Sequence, residues 1–168
     1  MHPFIHAKSH PDKAAIIVAE TGETRTYKQL DEGSNQVAQF FRQKGLGHDD
    51  VVAFMLENTP DYYYLTWGAQ RAGLRYVCIS SRLTADETDY ILENSGAKLF
   101  VISASLADAA AKLTTQVERY ALGGAVAGYG ALEDALAPMP TSPVPDERAG
   151  IDMLYSSGTT GRPKGVRI

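Results

Sequence analysis

The residues best suited to chemistry lie in one short segment near the end of the chain. Residues 156–165 read Ser-Ser-Gly-Thr-Thr-Gly-Arg-Pro-Lys-Gly and hold four hydroxyls, three glycines and two cations. Glycine lets backbone N–H groups approach an anion closely, and hydroxyls donate hydrogen bonds that a charged phosphate oxygen strengthens. Lys164 adds a positive point charge, and Pro163 restricts the unbound segment. The segment therefore favours a loop that holds a polyphosphate.

The segment differs from the Walker A phosphate loop. That motif needs a glycine before its lysine and a serine or threonine after it. Here Pro163 and Gly165 flank Lys164, so the spacing excludes the common P-loop NTPase. A plain hairpin tip is the competing interpretation, because loops rich in Gly, Ser and Thr are common connectors.

Alternating strand-like and helix-like segments precede this loop and predict an α/β fold with a mainly parallel, helix-flanked sheet. The predicted strands cover 15–19, 51–56, 76–80, 98–102, 122–127 and 151–155, and residues 25–27 return beside the first as a hairpin. We expect an antiparallel element around the loop itself.

Helix signals fill the intervals between these strands. Thr26 with Gln29 and Thr84 with Glu87 form capping boxes that predict two helix starts. Thr59-Pro60 predicts a third helix, which ends at Gly73. An apolar stripe predicts a fourth helix, formed by Leu106, Ala110, Leu113, Val117 and Tyr120.

The chain divides into three parts by composition. Pro138, Pro140, Pro143 and Pro145 exclude helix and central strand from the segment around them. We therefore predict an α/β sheet lobe at 1–136, a proline-rich connection at 137–149, and a strand–phosphate loop–strand segment at 150–168. The final strand has only four residues before the sequence stops, which is short for stable pairing. We expect the chain to be a truncated part of a longer protein.

Composition excludes several classes of function. The 168 residues are 44% hydrophobic and 21% charged, with a net charge of -4, which suits a globular protein but offers no basic surface for nucleic acid. The longest apolar runs have six residues, against the roughly 20 that a membrane span needs. No basic segment followed by an apolar stretch marks a secretory signal. We expect a cytoplasmic protein with neither nucleic acid nor a membrane span among its partners.

Two other residue sets have competing interpretations. His2, His6 and His10 recur every four residues and could present three imidazoles for a metal on one helix face. Pro3 and Pro11 interrupt that segment, so we interpret it as a surface turn and predict no metal site. Cys78 is the only cysteine, and its apolar neighbours predict a small core residue rather than a nucleophile.

Residues 155–166 resemble the phosphate-loop signature of the adenylate-forming enzymes, which include AMP-forming acyl-CoA synthetases, peptide-synthetase adenylation domains and luciferases. Two further segments agree in the family's order: 25–30 is similar to its threonine–tyrosine helix start, and 68–77 with 81–84 is similar to its second core motif. Many members carry proline and asparagine where this chain has Ile79-Ser80-Ser81. The resemblance covers about residues 3–168 and leaves the subfamily open.

The resemblance implies a reaction and a set of contacts. In the family, ATP and a carboxylic acid form an acyl-adenylate and pyrophosphate, and a thiol, usually that of coenzyme A, then takes the acyl group. Magnesium accompanies ATP. The positions that match the family's ATP contacts are Ser156, Ser157, Gly158, Thr159, Thr160, Gly161 and Lys164.

The resemblance also implies that this chain is the first part of the family's large N-terminal domain. The later motifs are absent, so we predict neither a catalytic residue nor a metal ligand within it. We expect the chain to be the N-terminal part of an acyl-CoA synthetase that activates a fatty or aromatic acid. We expect this part to be inactive by itself. The alternatives are a peptide-synthetase adenylation domain and a non-catalytic nucleotide-binding module. Without the rest of the domain, this chain would expose apolar surface that the rest normally covers. We therefore also expect the isolated chain to self-associate.

Overall fold

The structure, a computed structural model, describes residues 2–156 and 164–166. In chain order its elements are α1 (Pro3–Ser9), β1 (Ala14–Ile17), β2 (Thr24–Thr26), α2 (Tyr27–Gln43), β3 (Val51–Met55), α3 (Asp61–Arg71), β4 (Arg75–Cys78), α4 (Ala85–Ser95), β5 (Ala97–Ser103), a 3₁₀ turn (Ala104–Leu106), α5 (Ala107–Ala110), β6 (Glu118–Leu122), β7 (Gly130–Ala131), α6 (Leu132–Leu136), β8 (Ile151–Asp152), β9 (Leu154–Ser156) and β10 (Lys164–Val166).

Six of these strands form one parallel sheet in the order β7-β6-β5-β3-β4-β8. The chain runs from β3 to β4 on one side and then crosses back to β5 on the other side of β3. Two antiparallel pairs, β1 with β2 and β9 with β10, stand apart from this sheet. The predicted α/β class, with a parallel helix-flanked sheet and an antiparallel element near the C-terminus, is confirmed.

Helices cover both faces of the sheet, and the alternation of side chains along β3 shows how. Val52 and Phe54 point to a core built with α2, α3 and α6, whereas Ala53 and Met55 point to a second core built with α4 and α5. Because both faces are covered, all five residues of β3 are buried. This explains why the strand reads as a continuous apolar run.

Both predicted capping boxes are present. The Thr26 hydroxyl accepts the Gln29 N–H while the Gln29 side chain accepts the Thr26 N–H, and Thr84 and Glu87 repeat this arrangement at the start of α4. At the other end of α4, Gly96 has φ 72°, a left-handed conformation that ends the helix at the predicted position. The starts of α2 and α4 therefore follow from local sequence.

The predicted helix along 106–120 is wrong for most of its length. Helical structure ends at Ala110, and β6 takes up the residues that contain Tyr120. The Asp89 carboxylate accepts hydrogen bonds from the N–H groups and hydroxyls of Thr114 and Thr115, which holds this segment extended. Pairing of β6 with β5 then outweighs the helical spacing of the apolar residues. The predicted strand at 122–127 is wrong for the same reason, since β6 ends at its first residue.

The N-terminal histidines belong to a helix and its two ends rather than to the predicted surface turn: His6 lies within α1, and His2 and His10 flank it. Pro3 occupies the first position of α1, where proline is tolerated because that N–H has no helical partner. His2 accepts the Phe4 N–H, and its ring lies 5.0 Å from the Trp67 ring.

Within the described residues, none of the helices combines the length and apolar composition needed to cross a membrane.

Candidate functional site

The predicted phosphate loop joins β9 to β10. These strands pair Ser156 with Lys164, Gly165 with Tyr155, and Val166 with Leu154. The backbone therefore brings the first and last predicted ATP contacts opposite each other at the base of the loop. The other predicted contacts lie outside the described residues: Ser157, Gly158, Thr159, Thr160 and Gly161. Their role stays a prediction.

The strand predicted at 151–155 is divided in the structure. Residues 151–152 form β8, which pairs with β4 at the edge of the main sheet, and the chain then enters β9 in the separate hairpin. The Ile151 N–H donates to the Leu74 carbonyl at 3.0 Å, and the Met153 N–H donates to the Tyr76 carbonyl at 2.8 Å. The hairpin is thus tied to the main sheet through one continuous backbone.

Gly150 makes this docking sterically feasible. A Cβ at this position would lie 2.9 Å from the Ala69 carbonyl oxygen and the Leu74 nitrogen, and closer still to the Leu74 carbonyl oxygen. All three atoms belong to backbone, which side-chain rotation cannot move. A glycine is therefore required where the connection meets the end of α3.

Gly150→Ala is expected to lower the free energy of unfolding by roughly 1–3 kcal/mol, the usual cost of overpacking. Urea unfolding of the 168-residue chain measures this. Gly47→Ala is the matched control, because a Cβ there meets only the Asp50 side chain, at 4.0 Å. Equal stability of the two variants would contradict the steric requirement at Gly150.

An amide row on α2 holds the proline-rich connection. We use this name for Asn35, Gln36 and Gln39, whose side-chain amides donate to backbone carbonyls of the connection and of the preceding helix end. Asn35 reaches the Thr141 carbonyl at 2.8 Å, and Gln39 reaches the carbonyls of Ser142 and Pro143 at 2.9 and 3.1 Å. Gln36 reaches the Met139 carbonyl at 3.2 Å. These bonds set the path of a segment that has little secondary structure of its own.

A buried arginine joins the same elements. Arg71, at the end of α3, is 2% exposed and donates to Asp31 and Asn35 of α2. Its Nη1 also lies 3.5 Å from a Glu147 carboxylate oxygen in the connection. Its Nε has no hydrogen-bond partner among the described residues. The residue type of Arg71 gives no sign of this role in the sequence, although Asp31 and Asn35 stand one helical turn apart and so face a common partner.

A cleft of about 530 Å³ opens at the carboxyl ends of β3 and β4. Ligands of open parallel sheets bind outside the carboxyl ends of the strands. Polar side chains converge on it from the loops after both strands: Glu57, Asn58, Ser80, Ser81 and Arg82. The cleft is therefore a candidate ligand site in addition to the loop.

Cys78 lines this cleft and is exposed, so its predicted core position is wrong. It is the last residue of β4 and lies on the opposite side of the strand from the buried Val77. Desolvation within the concave surface raises the pKa of the Cys78 thiol, although its hydrogen bond with Tyr62 acts in the other direction. A raised pKa lowers the thiolate fraction at neutral pH, which argues against a nucleophile.

The part of the chain that the structure describes contains no group of residues suited to bind magnesium. No three His, Cys, Asp or Glu side chains come together there in a group that could hold a metal ion. The carboxylate of Asp89 in α4 already accepts hydrogen bonds from the hydroxyls of Thr114 and Thr115. The described residues therefore do not fit the ion.

Comparison with known proteins decides the family. The family model described as AMP-binding enzyme matches residues 4–168. The chain belongs to the AMP-binding enzymes. It is 35% identical over 162 residues to tyrocidine synthase 2 of Brevibacillus parabrevis and 33% identical over 163 residues to a fatty acid–[acyl-carrier-protein] ligase of Streptomyces coeruleorubidus, each match covering 96% of the chain. A fatty acyl CoA synthetase of Mycobacterium tuberculosis superposes with a TM-score of 0.81 at 28% identity, over 98% of this chain.

This AMP-binding enzyme chain is much shorter than those relatives. It spans 4% of the tyrocidine synthase, 31% of the Streptomyces ligase and 33% of the Mycobacterium synthetase. The family and the fold of this part are therefore established.

Proposed function

We propose that this chain supplies the ATP phosphate loop of a ligase that activates a carboxylic acid and transfers it to coenzyme A. The observation that carries this proposal is the composition of residues 156–165, with four hydroxyls, three glycines and Lys164. This segment connects β9 to β10, whose backbones pair with each other. We propose a fatty or aromatic acid as the substrate. Similarity to the Mycobacterium fatty acyl CoA synthetase and the Streptomyces fatty acid ligase supports the fatty acid. With ATP as a substrate, we propose the cytoplasm as the compartment.

The first proposed step joins the acid to AMP. A carboxylate oxygen attacks the α-phosphorus of ATP, the bond between that phosphorus and the bridging oxygen breaks, and pyrophosphate leaves with the electron pair. The protein contributes by positioning the two anions and by offsetting the charge that develops on the leaving group. We assign the second role to the loop, with the Lys164 ammonium and the hydroxyls of Ser156, Ser157, Thr159 and Thr160.

The second proposed step releases AMP. The thiolate of coenzyme A attacks the acyl carbon, and the bond between that carbon and the AMP oxygen breaks. None of the described residues is assigned to this step. The Cys78 thiol is not assigned to it either, because desolvation raises the pKa of this thiol and disfavours the thiolate.

A peptide-synthetase adenylation domain is the second candidate. The 35% identity to tyrocidine synthase 2 favours it. Such a domain would activate an amino acid, whereas the ligase would activate an acid without an α-amino group. Substrate choice therefore separates the two functions.

The deciding experiment measures pyrophosphate release by the full-length protein with ATP and a panel of fatty, aromatic and amino acids. Release that depends on a fatty or aromatic acid, with a CoA thioester formed when coenzyme A is added, supports the ligase. Release that depends only on an amino acid supports the second candidate. Absence of release with every acid contradicts both.

The 168-residue chain alone is expected to bind ATP weakly and to show no turnover. One loop offers few contacts to the nucleotide, and binding must first offset the freedom that both partners lose. Isothermal titration calorimetry with ATP measures the affinity, and we expect a Kd above about 1 mM, equivalent to less than about 4 kcal/mol of binding free energy. A micromolar Kd would show that a stand-alone nucleotide-binding module is the better description.

A further inference from the structure

We propose that Asn94 is a positioning residue for the phosphate loop, acting through the hydroxyl of Tyr155. This inference rests on the proposed function, because it assigns to Asn94 an effect on the use of ATP. Asn94 is 61 residues away from Tyr155 in sequence and belongs to another element. The hydroxyls, glycines and cations that mark the loop in the sequence do not predict a role for Asn94.

The anchor is one hydrogen bond to a well-packed helix. The Tyr155 hydroxyl donates to Asn94 Oδ1 at 2.8 Å. Asn94 lies in the last turn of α4, beside Ile91 and Leu92, which are 2% and 1% exposed in the core. The acceptor therefore stands on an element that the sheet holds in place.

Tyr155 transmits this position to both strands of the hairpin. Gly165 pairs with Tyr155 across the hairpin, and a Cβ on Gly165 would lie 2.9 Å from Cζ of the Tyr155 ring and 3.0 Å from Cε of Met153. The ring therefore packs directly on the Gly165 backbone. The neighbouring pair along the hairpin is Ser156 with Lys164, the two ends of the proposed ATP loop.

The hairpin needs such an anchor. β9 and β10 share three residue pairs and pair with no further strand among the described residues. An isolated two-stranded hairpin is only marginally stable in water. Loss of the hydroxyl or of its acceptor therefore loosens the base of the loop while the sheet and both cores stay intact.

The test is steady-state pyrophosphate release by the full-length protein carrying Asn94→Ala, Tyr155→Phe, or both. A neutral hydrogen bond of this kind corresponds to roughly a three- to tenfold effect, so we expect the KM for ATP to rise by that factor. The KM for the acid is expected to stay within twofold. The double variant should be no worse than either single variant, because both remove the same bond. Asn94→Asp retains an acceptor oxygen and should restore the KM for ATP.

Two controls match the changes. Glu93→Ala alters the exposed neighbour on α4, and Tyr129→Phe removes a tyrosine hydroxyl that donates to the Ala110 carbonyl, near the opposite edge of the sheet. Both should retain the KM for ATP of the unaltered protein. An unchanged KM in Asn94→Ala and Tyr155→Phe, additive effects in the double variant, or a parallel rise in both KM values would overturn the inference. If the unaltered protein releases no pyrophosphate with any acid, the proposed function fails instead.

Discussion

Lys164→Ala in the full-length protein is expected to lower kcat/KM for acid-dependent pyrophosphate release about a hundredfold or more, the range seen when one preorganised charge-stabilising group is removed. The reason is chemical. Pyrophosphate leaves with additional negative charge. We assign the offsetting positive charge to the ammonium group of Lys164, the lysine of residues 156–165. Removing it leaves that charge without its proposed partner. Coupled detection of pyrophosphate under saturating acid measures the loss.

Two further variants make this result specific. Lys112→Ala removes an exposed lysine elsewhere on the surface and should change kcat/KM less than twofold. Lys164→Arg keeps the charge but changes its shape, so its rate should lie between those of the alanine variant and the unaltered protein. If Lys164→Ala retains the full rate, the assignment of the loop to the phosphates of ATP is wrong.

Arg71→Met is expected to lower the free energy of unfolding by about 3 kcal/mol, the lower end of the range for breaking a buried ion pair. Methionine fills most of the space but leaves Asp31 and Glu147 without their cation. The Asp31 and Glu147 side chains are 20% and 40% exposed, so water partly compensates them. Urea unfolding of the 168-residue chain measures the change.

The control for Arg71 is an arginine in an exposed pair. Arg25 contacts Glu23 at the surface, and Arg25→Met should cost less than about 1 kcal/mol. Arg71→Met with Asp31→Leu removes cation and anion together and should be less destabilised than Arg71→Met alone. A loss below 1 kcal/mol in Arg71→Met would show that the buried cluster contributes little to stability.

The chemistry proposed for the candidate site comes from the sequence, whereas the residues that support the loop are visible only in the structure. The loop at 156–165 stands out because its residue types are concentrated in ten positions. Asn94 and Gly150 carry no such signal, since asparagine near a helix end and glycine in a loop are ordinary residues there. Their roles depend on Tyr155 and on the backbone of Leu74, which come near only in the folded chain.

Local patterns were sufficient for the starts of α2 and α4, for the apolar strand β3, and for the general α/β class. Capping boxes and apolar runs involve neighbours in sequence, so each is legible before the chain folds. Local patterns did not predict three other features. These are the division of residues 151–155 between two sheets, the strand that contains Tyr120, and the exposure of Cys78. Each depends on which segment lies alongside, and the contacts responsible join residues as far apart as the 106 positions between Asn35 and Thr141. Such contacts form only when the whole sheet is assembled, because their free energy comes from burial and pairing between distant elements rather than from local conformational preference.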